Sequence, residues 1–227
     1  MPIKWGMTDQ VVNQGVKALV YSEYGMGKTV LCSTAPYPLI LSAEAGLLSI
    51  RKIKPAIPFI RIDNIDDLTE AHRWIVGSKE ADRFWTVCLD SLSEIGEVIL
   101  AHALTQVKDP RQAYGELIEK LSMVIRAFRD LQGKHVYFSV KMEPIKDDMT
   151  GQVKYGPSIP GKKMGPLVPY FFDETFCLRL GRLQNGETYR YLQTQPDLQY
   201  GAKDRSGNLD AVEKPDLTHI FNKILSS

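Results

Sequence analysis

Between Ser22 and Thr29 the chain reads SEYGMGKT, and the residue types there suit one task. A lysine preceded by glycine and followed by a hydroxyl residue can grip a phosphate chain. Successive backbone N–H groups wrap the anion, the ammonium reaches the outer phosphates, and the hydroxyl binds Mg²⁺. Glu23, Tyr24, Gly25, Met26, Gly27, Lys28, Thr29 and Val30 are therefore the candidate nucleotide-binding residues, with Thr29 also a candidate metal ligand. Gly25 and Gly27 supply the positive φ that such a loop needs. One position departs from the pattern: five residues before Gly27 a glycine is expected, and Ser22 stands there. The tripeptide GKT also arises by chance, so its surroundings have to decide.

Two acids follow at places where phosphate chemistry would use them. Asp90 closes the apolar run TVCLD, 62 positions after Lys28. An acid in that context holds Mg²⁺ directly or through water; the plainer alternative is an aspartate capping the next helix. Glu44 closes the run PLILSAE. A carboxylate there can orient an attacking water and take its proton, yet the same residue reads equally well as a surface glutamate opening the AGLLSIR segment.

The elements that must position these groups are legible as alternating patterns. VKALVYS (16–22) is a short β-branched apolar run, the mark of a buried strand, and KTVLCSTA after it starts a helix ended by Pro36 and Pro38. PLILSAE (38–44), PFIRID (58–63), RFWTVCLDS (83–91) and KHVYFSVK (134–141) are further strands. NIDDLTEAHRWIVGS is a helix with Asn64 as cap and Ile65, Leu68, Ala71 and Ile75 on one face. Two more helices, within 92–107 and 111–132, precede the last of these strands. Strand and helix alternate, so the expected fold is α/β, a mainly parallel central sheet flanked by helices, with its site at the strands' C-terminal ends. Residues 142–166 are polar and rich in Gly and Pro, a long loop or hairpin. TFCLRLG, TYRYLQTQ and YGAKDR read as C-terminal antiparallel strands, the first two joined at QNGE, and LTHIFNKIL closes as a helix. The expected organisation is a single domain over 17–227 and an N-terminal arm of unknown role over 1–16.

Composition narrows the classes. The 227 residues are 44% hydrophobic and 24% charged, the balance of an ordinary globular protein. A net charge of +1 gives no global basic field, so nucleic acid would have to meet a local patch. Cys32, Cys88 and Cys177 are far apart in apolar surroundings and read as reduced core residues of a cytoplasmic protein. The four histidines show no ligand spacing. Nothing reads as a signal peptide or a membrane span.

In order, SEYGMGKT, LILSAE, FIRID, a helix, TVCLDS and VYFSVK resemble the core of the RecA-like recombinase ATPases. The resemblance implies a RecA-like P-loop NTPase fold, ATP and Mg²⁺ as cofactors, Glu44 as catalytic base, and Asp90 followed by Ser91 as the metal-holding acid. It also implies a γ-phosphate sensor at the end of the fifth strand. The usual sensor amide is absent, which leaves Ser139 and Lys141 as candidates. AKDRSG (202–207) resembles the K-x-R-x-G motif of DnaB-type helicases and RadA-like ATPases, in which Lys203 and Arg205 would reach a neighbouring subunit's γ-phosphate. The same two residues also suit exposed charges on a terminal hairpin.

Over roughly residues 17–225 the chain is most similar to the small phage RecA-like ATPases of single-strand annealing recombination. That similarity implies a homo-oligomer, filament or ring, with ATP at its interfaces, single-stranded DNA as partner, a single-strand-binding or annealing protein as a further partner, and the bacterial host cytoplasm as location. The DNA-facing loops would be about 106–115 and 142–163. The second carries Lys146, Lys154, Tyr155, Lys162 and Lys163 against Glu143, Asp147 and Asp148, cations for phosphates and a ring on which any base can stack; a solvated loop has the same composition. Three alternatives stand beside the DNA-stimulated ATPase: a non-catalytic ATP-dependent assembly protein, a helicase-like motor, and a small-molecule kinase. The kinase is the weakest, because the 142–166 insertion has no arginine to close over phosphates.

Overall fold

The structure is a computed structural model and describes residues 15–146, 151–161 and 163–226. Its frame is one sheet in the order β3-β2-β4-β5-β1-β7-β8-β9, with β6 pairing β5. Strands β1 (Lys17–Ser22), β2 (Pro38–Ser42), β3 (Phe59–Arg61), β4 (Thr86–Asp90) and the first half of β5 (His135–Lys146) are mutually parallel, as is β7 (Glu174–Arg182) alongside β1. β6 (Val153–Ser158), β8 (Thr188–Gln193) and β9 (Val212–Glu213) pair antiparallel. This is the expected α/β class, with C-terminal antiparallel strands beside a parallel core.

Central strands covered on both faces must be mainly apolar, and β1 (KALVYS) and β4 (TVCLD) are buried throughout. Alternate side chains feed two cores. One side takes Leu19, Tyr21, Leu41, Leu89 and Phe138 against α2 (Ile65–Gly77), α3 (Leu92–Gln106) and α4 (Pro110–Arg129). The other takes Ala18, Val20, Ile40, Cys88 and Tyr137 against α1 (Lys28–Cys32) and α6 (Leu217–Leu225). The three cysteines are buried and free. Helix α2 begins as its sequence asks: Asn64 accepts from the Asp67 amide, and Asp67 accepts in return from the Asn64 amide.

Two segments differ from the sequence expectation. Helix α1 is five residues long and does not reach Ala35, because the Ser33 and Thr34 hydroxyls bond back to Val30 O and Leu31 O in tight turns. Within 142–166 the hairpin reading holds: β5 runs on to Lys146 and pairs with β6 from Lys141↔Ser158 to Lys146↔Val153, and α5 (Met164–Leu167) follows. YGAKDR is not a strand. It touches the sheet through single bridges at Tyr200 and Lys203, and Asp204 then curls the chain by accepting from the Gly207 and Leu209 amides. The arm expected over 1–16 lies outside the described residues except at Gly15 and Val16, and Val16 is already bonded into the sheet beside β5. Among the described residues no helix is long and apolar enough to cross a membrane.

Candidate active site

The P-loop leaves the end of β1 and turns on its glycines: Gly25 has φ 72° and Gly27 φ 98°. Ser22 is buried at the strand exit, so a small residue suffices where the pattern expects glycine. The buried Tyr137 of β5 donates its hydroxyl to Lys28 O at 3.1 Å and pins the start of α1 from below. The Lys28 ammonium folds back onto its own loop, donating to Ser22 O and Ser22 Oγ at 3.2 Å and to Glu23 O at 3.3 Å. Burial pushes its pKa below the ordinary lysine value, and the carboxylates of Glu44 and Asp90 oppose that push. A cation held by neutral carbonyls inside its own loop is poised for an anion placed in the loop.

All eight loop residues named from the sequence, together with Glu44, Asp90 and Lys141, line one cleft of about 940 Å³. Asp90, 2% exposed at the end of β4, accepts from the Thr29 hydroxyl at 2.6 Å and from the Ser139 hydroxyl on its other oxygen. Thr29 and Asp90 are thus within one hydrogen bond of each other, and an oxygen-only pair of this kind fits Mg²⁺. Glu44 lies just beyond β2, with β4 and β5 standing between that strand and β1, and it reaches the cleft because parallel strands end on the same edge. Ser91, N-cap of α3, donates its hydroxyl to Glu44 Oε1. Lys141 pairs with Glu94 at 2.9 Å and stands 3.8 Å from Glu44. Its hydrogen bond to Glu94 raises its pKa, so it is a firm cation.

The two sensor candidates separate in space. Ser139 is fully buried beneath Asp90, whereas Lys141 borders the cleft itself. Lys203 and Arg205 do not approach it. Lys203 pairs with Thr175, which pairs with Leu19, three residues before the end of β1. The Lys203 ammonium donates to Phe172 O and, at 2.9 Å, to Pro169 O inside its own chain, and burial lowers its pKa. Arg205 is exposed and pairs with Asp173 at 2.9 Å. Of the two cations, Arg205 alone is exposed.

The proposed DNA residues cluster around the β5–β6 hairpin. Lys146 and Lys154 are exposed on it, and one face of Tyr155 is already stacked on Tyr200, with centroids 5.0 Å apart. Lys163 lines a second cleft of about 810 Å³ with Arg111 and Tyr114, and Lys141 forms part of the wall between the two clefts. Lys162 lies outside the described residues.

Sequence reasoning missed Glu94, Lys141's partner, and Arg190 of β8, which donates to Gly25 O at 3.4 Å and lines the nucleotide cleft. Neither belongs to a local motif; Arg190 is 165 residues from Gly25 along the chain, and only the sheet brings them together.

A phosphate loop, a hydroxyl–aspartate pair and a strand-end glutamate converging on one edge of this sheet define a P-loop ATPase domain. Residues 14–206 match the AAA domain family, and the chain belongs to that family. No match was found among curated proteins. Among solved structures, the chain is similar to a KaiC-like protein from the hyperthermophilic archaeon Pyrococcus horikoshii OT3, at 12% identity and a TM-score of 0.43, over 79% of this chain and 78% of that one.

Proposed function

We propose that the protein hydrolyses ATP with Mg²⁺, assembles as a homo-oligomer on single-stranded DNA, and acts in annealing or strand exchange during phage recombination. The observation that carries the ATPase part is the convergence of Lys28, Thr29, Glu44, Asp90 and Lys141 on one cleft. Thr29 and Asp90 would hold Mg²⁺, which supplies neutralising charge at the phosphates. Lys28 would leave its loop carbonyls for the outer phosphates. Glu44, oriented by Ser91, would take the proton of the attacking water. Lys141, at the edge of the cleft, takes the sensor's place, and Ser139 positions Asp90.

DNA contact is supported by the exposed Lys146 and Lys154 and by Tyr155 on the hairpin, and by the second cleft with Lys163, whose wall includes Lys141. Arg205, exposed and far from its own P-loop, suits a cation presented to a neighbour; Lys203 would brace the segment that carries it. A single-strand-binding or annealing protein would be the further partner. The test is ATP turnover with and without single-stranded DNA, with particle mass measured in parallel. Stimulation by DNA together with an assembled species supports the reading; turnover indifferent to DNA overturns its DNA part.

A further inference from the structure

On the side of the P-loop away from Glu44 stands an arginine that hydrolysis leaves unused. β7 runs parallel to β1, but Tyr21 pairs with Cys177 and β7 continues to Arg182. That extension is about 16 Å of strand, at about 3.3 Å per residue, rising past the loop with β8 folded back against it. Leu178 belongs to the core on the α1 side, so Leu180 two residues on, and Arg190 opposite it, present the same face toward the loop. Arg190 Nη2 reaches Gly25 O at 3.4 Å, and a Cβ placed on Gly27 would lie 3.9 Å from Arg190 Nε. Leu178 and Pro215 line the cleft beside it.

Sheet order fixes which end of a nucleotide this is. The groups suited to the γ-phosphate are Glu44 just past β2, Asp90 at the end of β4 and Lys141 where the parallel half of β5 ends, all on one flank of β1. Arg190 is on β8, on the opposite flank. A nucleotide with its outer phosphates at Lys28 therefore points its base toward the β7–β8 overhang. Arg190 is held there by one long bond to a backbone carbonyl, and among the described residues no carboxylate pairs with it.

We infer that Arg190 is a base clamp, laying its planar guanidinium on the face of the nucleotide's base while Leu178 and Pro215 bound the same end of the cleft. A guanidinium stacks on a π-face in a way an ammonium does not reproduce. The inference rests on the nucleotide site described above, and the experiment separates the two. Calorimetry with ADP and with inorganic tripolyphosphate, which has no base, is run on wild type, Arg190→Ala and Arg190→Lys. Arg190→Ala is expected to weaken ADP roughly tenfold while tripolyphosphate changes less than about twofold, and Arg190→Lys is expected to recover little of the loss. Unchanged ADP affinity in Arg190→Ala overturns the clamp. Equal losses for ADP and tripolyphosphate also overturn it, by making Arg190 a phosphate contact, and full recovery in Arg190→Lys overturns it by showing that charge alone sufficed. A wild type that binds neither compound would instead sink the nucleotide site itself, and the clamp with it.

Discussion

The substitution Glu44→Gln separates binding from chemistry, and the surroundings of Glu44 say by how much. Its side chain is 30% exposed, and its partners are the Ser91 hydroxyl and, at 3.8 Å, Lys141, neither of them in the P-loop. The amide keeps an oxygen for the Ser91 hydroxyl, so the side chain stays in place. Lys141 loses only its longer ion pair and retains Glu94 at 2.9 Å. A half-exposed pair of this kind is worth about 0.2–1 kcal/mol, so stability and nucleotide affinity shift by less than about fivefold. The missing base costs far more. General-base catalysis contributes about 10²–10⁴ in rate, so the barrier rises by roughly 2.7 kcal/mol or more. Single-turnover hydrolysis of radiolabelled ATP, paired with calorimetric ATP binding, reads both quantities on one preparation. A Glu44→Gln protein that binds ATP normally and hydrolyses it at the wild-type rate would refute the argument and favour a non-catalytic assembly role.

Asp90→Asn should weaken nucleotide binding in Mg²⁺ while leaving binding in EDTA nearly unchanged, because only one acceptor oxygen remains for Thr29, Ser139 and the metal; equal affinities with and without Mg²⁺ in wild type would count against the metal site. Lys203→Ala should lower thermal stability by about 1–3 kcal/mol, since two backbone carbonyls lose a charged donor, whereas Arg205→Ala should melt like wild type yet lose DNA-stimulated hydrolysis. Mixing Arg205→Ala with Lys28→Ala should restore part of that activity if the arginine acts across an interface; mixed oligomers no more active than the two proteins alone would place it elsewhere. Acid should unfold the protein through His135, whose pKa burial and the Lys17 charge push down to about 4. Its folded pKa is depressed, so the stability it contributes is present above the ordinary histidine value of about 6.5 and is lost as pH falls toward 4. His135→Asn, which can still accept from the Val16 amide, should flatten the melting temperature over that window, and an unchanged slope would show that other groups carry the acid sensitivity.

The sequence alone determined what depends on neighbours a few residues apart. Gly25 and Gly27 set the loop's positive φ, Asn64 and Asp67 closed their capping box, and the apolar runs of β1, β2 and β4 ended in the groups that line the cleft. Such features are legible because backbone sterics, caps and burial periodicity act locally. The order of the strands is not local, and the tertiary structure decided whatever followed from it. Glu44 borders the P-loop's cleft across two intervening strands because the parallel strands end on one edge. Ser139 and Lys141 share one face of β5, two residues apart, yet meet different partners, Asp90 and Glu94. Strand pairing sets Ser139 level with Asp90, where β4 ends, and leaves Lys141 one pleat further out at the cleft. Lys203 turned inward because the carbonyls of Pro169 and Phe172 lay within its reach. Arg190 became a neighbour of Gly25 only when the β7–β8 hairpin rose past the end of β1, a contact set by strand pairing that no spacing along the chain could announce.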